Sequence, residues 1–112
     1  MALGYHIIAE FRKCNPELLK RVRQVKPALE KAVAESNLAK ICSRYHQFKP
    51  FGVTGFVLLA ESHISVHTWP EKGYVAVDIF TCGVPEKGEK AFEVLVREFK
   101  PGKVKRKKFD RE

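Results

Sequence analysis

Between residues 38 and 82 the chain alternates apolar and polar side chains through four successive runs, LAKICSRYHQF, VTGFVLLAE, HISVHTW and YVAVDIFTC. A period of two marks strands with one buried face. The runs are parted by KPFG, by PEKG, or by nothing more than the Glu61–Ser62 junction. Connections this short cannot carry a crossover helix, so neighbouring runs are expected to pair antiparallel. VTGFVLLAE is the most apolar of them and is expected at the centre of the sheet.

The flanks complete the pattern. GYHIIAEF at 4–11 reads as a first strand and KVKRKKF at 103–109 as a basic last one. Asn15-Pro16-Glu17 can start a helix, since asparagine caps and proline is tolerated at the first helical position. Leu18, Leu19, Val22, Val25, Leu29 and Val33 follow at helical spacing, and Pro27 predicts a kink or two helical pieces before Ser36-Asn37. A second helix opens at Val84-Pro85-Glu86, with Ala91, Phe92, Val94, Leu95 and Phe99 as its apolar stripe, and closes at Pro101-Gly102. The order βα(α)ββββαβ predicts an α+β fold, a two-layer α/β sandwich whose mostly antiparallel sheet carries helices on one face. Residues 1–112 are expected to form a single domain. A chain of 112 residues has little area to spare for its core, so pairing with a second copy is expected.

Lys and Arg number 21 against 13 Asp and Glu, a net charge of +8. That balance attracts phosphate nonspecifically. The excess gathers at Lys20, Arg21, Arg23 and Lys26 and in the tail KPGKVKRKKFDRE, with no aromatic-interleaved RNA motif beside it. A solvated helix face and a charged edge strand account for it, and nucleic acid is not expected as a partner. The longest apolar run, Phe56 to Ala60, is too short to cross a bilayer, and MALGYHIIAEF lacks the features of a secretory signal. The expected location is the cytoplasm. Three distant cysteines, Cys14, Cys42 and Cys82, give neither a zinc spacing nor a paired framework.

One stretch is over-equipped for a plain strand: AESHISVHTWPEKGY, residues 60–74. His63 and His67 would share one face of a helix, but in a strand four residues span about 13 Å, too far for two ligands of one metal. No metal is expected. Ser62, His67, Asp78 and Cys82 supply the residue types of a hydrolase, but no nucleophile elbow or glycine-rich oxyanion turn surrounds Ser62. On spacing alone, a strand with histidines on its polar face is the preferred reading.

Taken together, LGYHIIAEF at 3–11, FKPFGVTG at 48–55, ESHISVHTWPE at 61–71 and GYVAVDIFTCG at 73–83 resemble the prokaryotic short form of S-adenosylmethionine decarboxylase. This is a pyruvoyl-dependent enzyme family of polyamine (spermidine) biosynthesis. The resemblance covers nearly the whole chain. It departs at Thr54, where the family commonly has serine, and in a short C-terminus after Phe109.

The resemblance implies a self-cleaving precursor, cut between Glu61 and Ser62 into residues 1–61 and 62–112. Serine is required because its hydroxyl is first nucleophile and then leaving oxygen. His67 matches the base in processing, a task suited to imidazole. Thr54 matches a hydroxyl that stabilises the processing intermediate. The pyruvoyl group made from Ser62 would form a Schiff base with the substrate and serve as electron sink in place of pyridoxal phosphate. Cys82 matches the proton donor, while Cys14 and Cys42 read as structural. Phe48 and Trp69 match aromatic residues around the substrate and Glu71 a carboxylate reaching its polar groups. A homodimer of cleaved protomers sharing its sites is also implied. Strand parity sets Ser62 and His67 on opposite faces, so a bend at Glu61–Ser62 is expected, leaving that bond exposed and strained. Archaeal relatives of this fold that decarboxylate arginine would keep Ser62, His67 and Cys82, so the arginine-specific reading stays open. A noncatalytic RNA-binding module is the reading from a different class.

Overall fold

The computed structural model describes residues 3–112. The alternating runs become strands β2 (Lys40–Gln47), β3 (Val53–Leu59), β4 (His63–Trp69) and β5 (Tyr74–Thr81), and the flanks become β1 (Gly4–Arg12) and β6 (Lys103–Arg111). Helix α1 spans Val22–Glu35 and α2 spans Pro85–Phe99. All six strands form one sheet in the order β2-β3-β4-β5-β1-β6, every neighbouring pair antiparallel. Short hairpins lay β2 to β5 side by side. The two helical connections then place β1 beside β5 and β6 beyond it, so β3 is interior but β4 and β5 hold the centre.

Alternation sorts the sheet into two faces. Ile7, Ala9 and Phe11, Val53, Val57 and Leu59, Ile64 and Val66, and Val75, Val77 and Ile79 are buried beneath the helices. Against them pack Val25, Ala28, Leu29, Ala32 and Val33 of α1 and Ala91, Phe92, Val94, Leu95 and Phe99 of α2. Each fully buried Leu or Phe of this layer contributes about 1.5–3 kcal/mol. No helix covers the other face, where Ile8, Phe56, Leu58 and Phe109 stand exposed to 44%, 38%, 38% and 46%.

The first helical segment differs from expectation. Asn15 caps a short 3-10 turn, Pro16–Leu18, through its side-chain oxygen and the Glu17 N–H, and α1 begins only at Val22. The break therefore falls between Leu19 and Arg21, while Pro27 lies within α1. Pro27 and Arg23 are both exposed, so the carbonyl that loses its partner to the proline faces water. The end of α2 also differs: Lys100, at φ 49°, closes the helix by donating its N–H to Val96 O, one residue before the Pro101-Gly102 pair. Gly73 closes the turn after β4 at φ 58°, and a Cβ there would lie 2.8 Å from the Cys14 carbonyl oxygen. Glycine is the residue that fits both conditions.

Strand β6 lies at a sheet edge with all nine residues exposed, as expected for the basic tail. Arg106 ties it to α2, donating both guanidinium nitrogens to Glu89 at 2.9 and 2.7 Å and lying 4.6 Å over the Phe92 ring. The Arg106 hydrogen bonds hold the Glu89 carboxyl below its usual range. A depressed carboxylate stabilises the fold above its unfolded pKa, and that contribution is lost as pH falls through the folded value. Glu89→Gln should therefore melt below the parent at pH 7, and the two melting curves should converge as pH drops below the ordinary glutamate range.

Candidate active site

The expected site residues fall into two groups at opposite ends of β4. The first surrounds the β3–β4 turn. Leu59 N–H donates to Ser62 O at 2.9 Å, making Ala60-Glu61 a two-residue turn with the Glu61–Ser62 bond at its exit. The chain thus bends where expected and Glu61 is exposed. Among the described residues the non-glycine ones with positive φ are Lys13, Asn37 and Lys100, so the turn holds no left-handed strain. Ala60 N–H donates to Ala39 O at 2.9 Å, fastening the turn to the α1–β2 loop. Half-buried Ser62 receives the Cys82 N–H on its Oγ at 3.3 Å. A cavity of about 250 Å³ opens here, lined by Glu61, Ser62, Cys82, Asn37 and Lys87 among others.

The second group lies where β4 ends. Thr54 and His67 are cross-strand partners on the open face, and Thr54 Oγ1 lies 3.0 Å from His67 Nδ1. Beside them Phe48, Trp69 and Glu71 line a cavity of about 260 Å³. Ser62 and His67 are five residues apart along an extended strand, about 17 Å. The bend does not bring them together. Within one protomer, Ser62 lies with Cys82, and His67 lies with Thr54, Phe48, Trp69 and Glu71.

Two positioning features carry no local sequence signal. Gln47, at the end of β2, accepts the Val22 N–H at 2.9 Å and so caps α1, which lacks a side-chain cap of its own. Its amide nitrogen donates to Lys20 O, Phe48 O and Gly52 O at 2.8, 3.0 and 3.1 Å. One side chain thereby joins the helix start to the loop carrying Phe48. Thr68, buried beneath His67 and Trp69, accepts from Val53 N–H and donates to Leu19 O at 2.9 and 2.8 Å. Both features join residues that are distant in sequence.

A third arrangement occupies the open face between the two groups. Arg111 donates to His6 Nδ1 at 3.0 Å, so His6 Nε2 carries the proton it gives to Asp78. His63 Nε2 lies 3.9 Å from the same carboxylate, and its ring stacks between Phe56 and Phe80. Only the alternation of β1, β4 and β5 brings these groups together. Elsewhere, Cys14 is buried, which pushes its thiol up to about 11, and Cys42 is exposed. Among the described residues no three His, Cys, Asp or Glu side chains form a group able to hold a metal ion, and no helix is long and apolar enough to cross a membrane. Gln47→Ala, which strands the Val22 N–H while Lys20 O and Gly52 O keep the N–H groups of Gly52 and Phe48, should cost about 1–3 kcal/mol in urea unfolding.

Comparison with known proteins identifies the family. The family described as S-adenosylmethionine decarboxylase matches residues 5–112. The S-adenosylmethionine decarboxylase proenzyme of Sulfurihydrogenibium sp. is 49% identical over 105 residues, covering 94% of this chain and 79% of the relative. That of Archaeoglobus fulgidus is 48% identical over 111 residues, covering 99% of each. The crystal structure of the adenosylmethionine decarboxylase from Aquifex aeolicus is similar at a TM-score of 0.95 and 42% identity, covering 98% of this chain and 91% of that one. A Trypanosoma brucei AdoMetDC-delta26 monomer shares the fold alone, at 14% identity and a TM-score of 0.65, over 92% of this chain and 44% of that one. With a match running from Tyr5 to Glu112 and a relative alike over 99% of its length, this chain belongs to the S-adenosylmethionine decarboxylase family.

Proposed function

We propose that this chain is a pyruvoyl-dependent S-adenosylmethionine decarboxylase that makes its own prosthetic group from Ser62 and works as a homodimer with shared sites. The reading rests above all on the close relatives being named proenzymes, while this chain has Ser62 beside Cys82 and Thr54 paired with His67. Those two groups lie too far apart to cooperate within one protomer. Face-to-face pairing of two open sheets about a two-fold axis sets the β3–β4 turn of one copy against the far end of β4 in the other. Thr54 and His67 then act on Ser62 of the partner subunit. Ile8, Phe56, Leu58 and Phe109 support this pairing, because exposed apolar groups on one sheet face gain by burial.

In self-cleavage, Ser62 Oγ adds to the Glu61 carbonyl carbon. The Glu61–Ser62 C–N bond breaks, the nitrogen keeps the hydroxyl proton, and an ester remains. Orienting His67 Nδ1–H toward Thr54 Oγ1 serves both residues. It leaves His67 Nε2 as the base and frees the threonine proton to hydrogen-bond the developing oxyanion. His67 Nε2 takes the α-proton of residue 62, the Cβ–O bond breaks, and Glu61 departs as a carboxylate. The dehydroalanine left behind takes up water and loses ammonia to become a ketone.

The pyruvoyl group supplies the electron-withdrawing carbonyl that decarboxylation needs. Phe48 and Trp69 offer aromatic faces to an adenine and a sulfonium, and Glu71 offers a carboxylate to hydroxyl groups. Cys82 Sγ holds the proton that replaces the departing carboxylate on the substrate carbon, since a thiol keeps its proton near neutrality yet gives it up readily. Nothing observed favours arginine as substrate or an RNA-binding role.

A denaturing mass spectrum tests the cleavage. Two fragments, 1–61 and 62–112, are expected, the second blocked at its start and reactive toward a hydrazine, while Ser62→Ala stays uncut. Carbon dioxide release from S-adenosylmethionine but not from arginine tests the specificity. Coexpression tests the sharing: Ser62→Ala and His67→Ala should each stay uncut alone, but their mixture should yield cut chains derived from the His67→Ala partner. A mixture that stays wholly uncut would sink the shared site.

A further inference from the structure

The cut proposed above creates a charge that the uncut chain lacks, a main-chain carboxylate at Glu61 in a turn of neutral peptide groups. The cavity beside that turn contains a cation. Lys87, in the first turn of α2, is half-buried and lines this cavity together with Glu61, Ser62, Cys82 and Asn37. Its Nζ donates to Asn37 O at 3.2 Å. Among the described residues it has no carboxylate within ion-pair distance, so an ammonium with three donors spends one on a neutral carbonyl.

The surroundings select this lysine. Ala60 N–H is fastened to Ala39 O at 2.9 Å, so the loop that Lys87 touches also holds the residue that precedes Glu61. Lys40, near the turn through its pairing with Leu59, is already held by Glu30 Oε1 at 2.7 Å. A loose carboxylate would occupy the cavity where the substrate's own carboxylate must leave, beside the Cys82 thiol.

We propose that Lys87 is the positioning cation for the severed chain end, pairing with the Glu61 α-carboxylate and seating residues 59–61 away from residue 62. The inference rests on self-cleavage at Glu61–Ser62. It assigns Lys87 no part in the cut itself, because the charge it pairs with appears only when the ester breaks.

The test compares Lys87→Ala and Lys87→Arg with the parent, each with Ser62 intact or as Ser62→Ala, by denaturing mass spectrometry and thermal melting. With Ser62 intact, Lys87→Ala should still give both fragments and melt about 2–6 °C below the cut parent, the scale of a partly exposed ion pair in a domain this size. The loss should shrink in high salt and be restored by Lys87→Arg. In the uncut Ser62→Ala background, Lys87→Ala should move the melting temperature by less than about 1 °C. Equal losses in both backgrounds would mean that Lys87 merely braces the Asn37 loop, and no loss in either would mean that it holds nothing. Failure of Lys87→Ala to cut would place the lysine before the break, which also overturns the inference. An uncut parent is a separate failure, visible before Lys87 is varied, and would remove the cleavage reading and this inference together.

Discussion

An antiparallel sheet with all its helices on one side has a second face that must be accounted for. Here that face carries Ile8, Phe56, Leu58 and Phe109 beside the His6–Asp78–His63 arrangement and the Thr54–His67 pair. The helical layer fixes the backbone beneath these groups. Val53, Val57, Ile64 and Val66 are fully buried there, so β3 and β4 cannot slip by one residue without turning their apolar set to water. Burial on one side thus sets the register in which Thr54 meets His67 on the other.

The same rigidity explains the division of the site. A strand cannot fold back over five residues, so Ser62 and His67 stay at opposite ends of β4. Each group is internally well placed: Ser62 Oγ against the Cys82 N–H at one end, and Thr54 with His67 beside Phe48 and Trp69 at the other. Supporting contacts such as those of Gln47 and Thr68 come from distant segments, which gives the loops near the site rigidity that short loops alone do not confer.

Much of the architecture was legible in the sequence because it rests on local periodicity. Alternation gave the strands to within a few residues, and the stripe Ala91, Phe92, Val94, Leu95 and Phe99 is buried throughout. What escaped depends on long-range pairing. Strand order cannot be read from apolarity, so β3 looked central although β4 and β5 are. Pro27 read as a kink or the join of two helical pieces, but the join falls between Leu19 and Arg21, and Pro27 lies exposed within α1. Parity arguments set Ser62 and His67 on opposite faces correctly as a rule of strands, yet missed that distance along the strand separates them more. Gln47, His6 and Asp78 look ordinary in their own segments. Their roles appear only when β1, β4, β5 and the start of α1 are assembled.

Strand order has one more consequence. Residues 1–61 contribute β1, β2 and β3, whereas residues 62–112 contribute β4, β5 and β6. In the sheet these are interleaved: β1 is inserted between β5 and β6, while β3 borders β4. Two pieces parted at the β3–β4 turn would remain laced together by three ladders, β3 with β4, β1 with β5, and β1 with β6. Separating them would require unzipping all three and opening the core beneath, so a broken backbone would persist as one body without any covalent link.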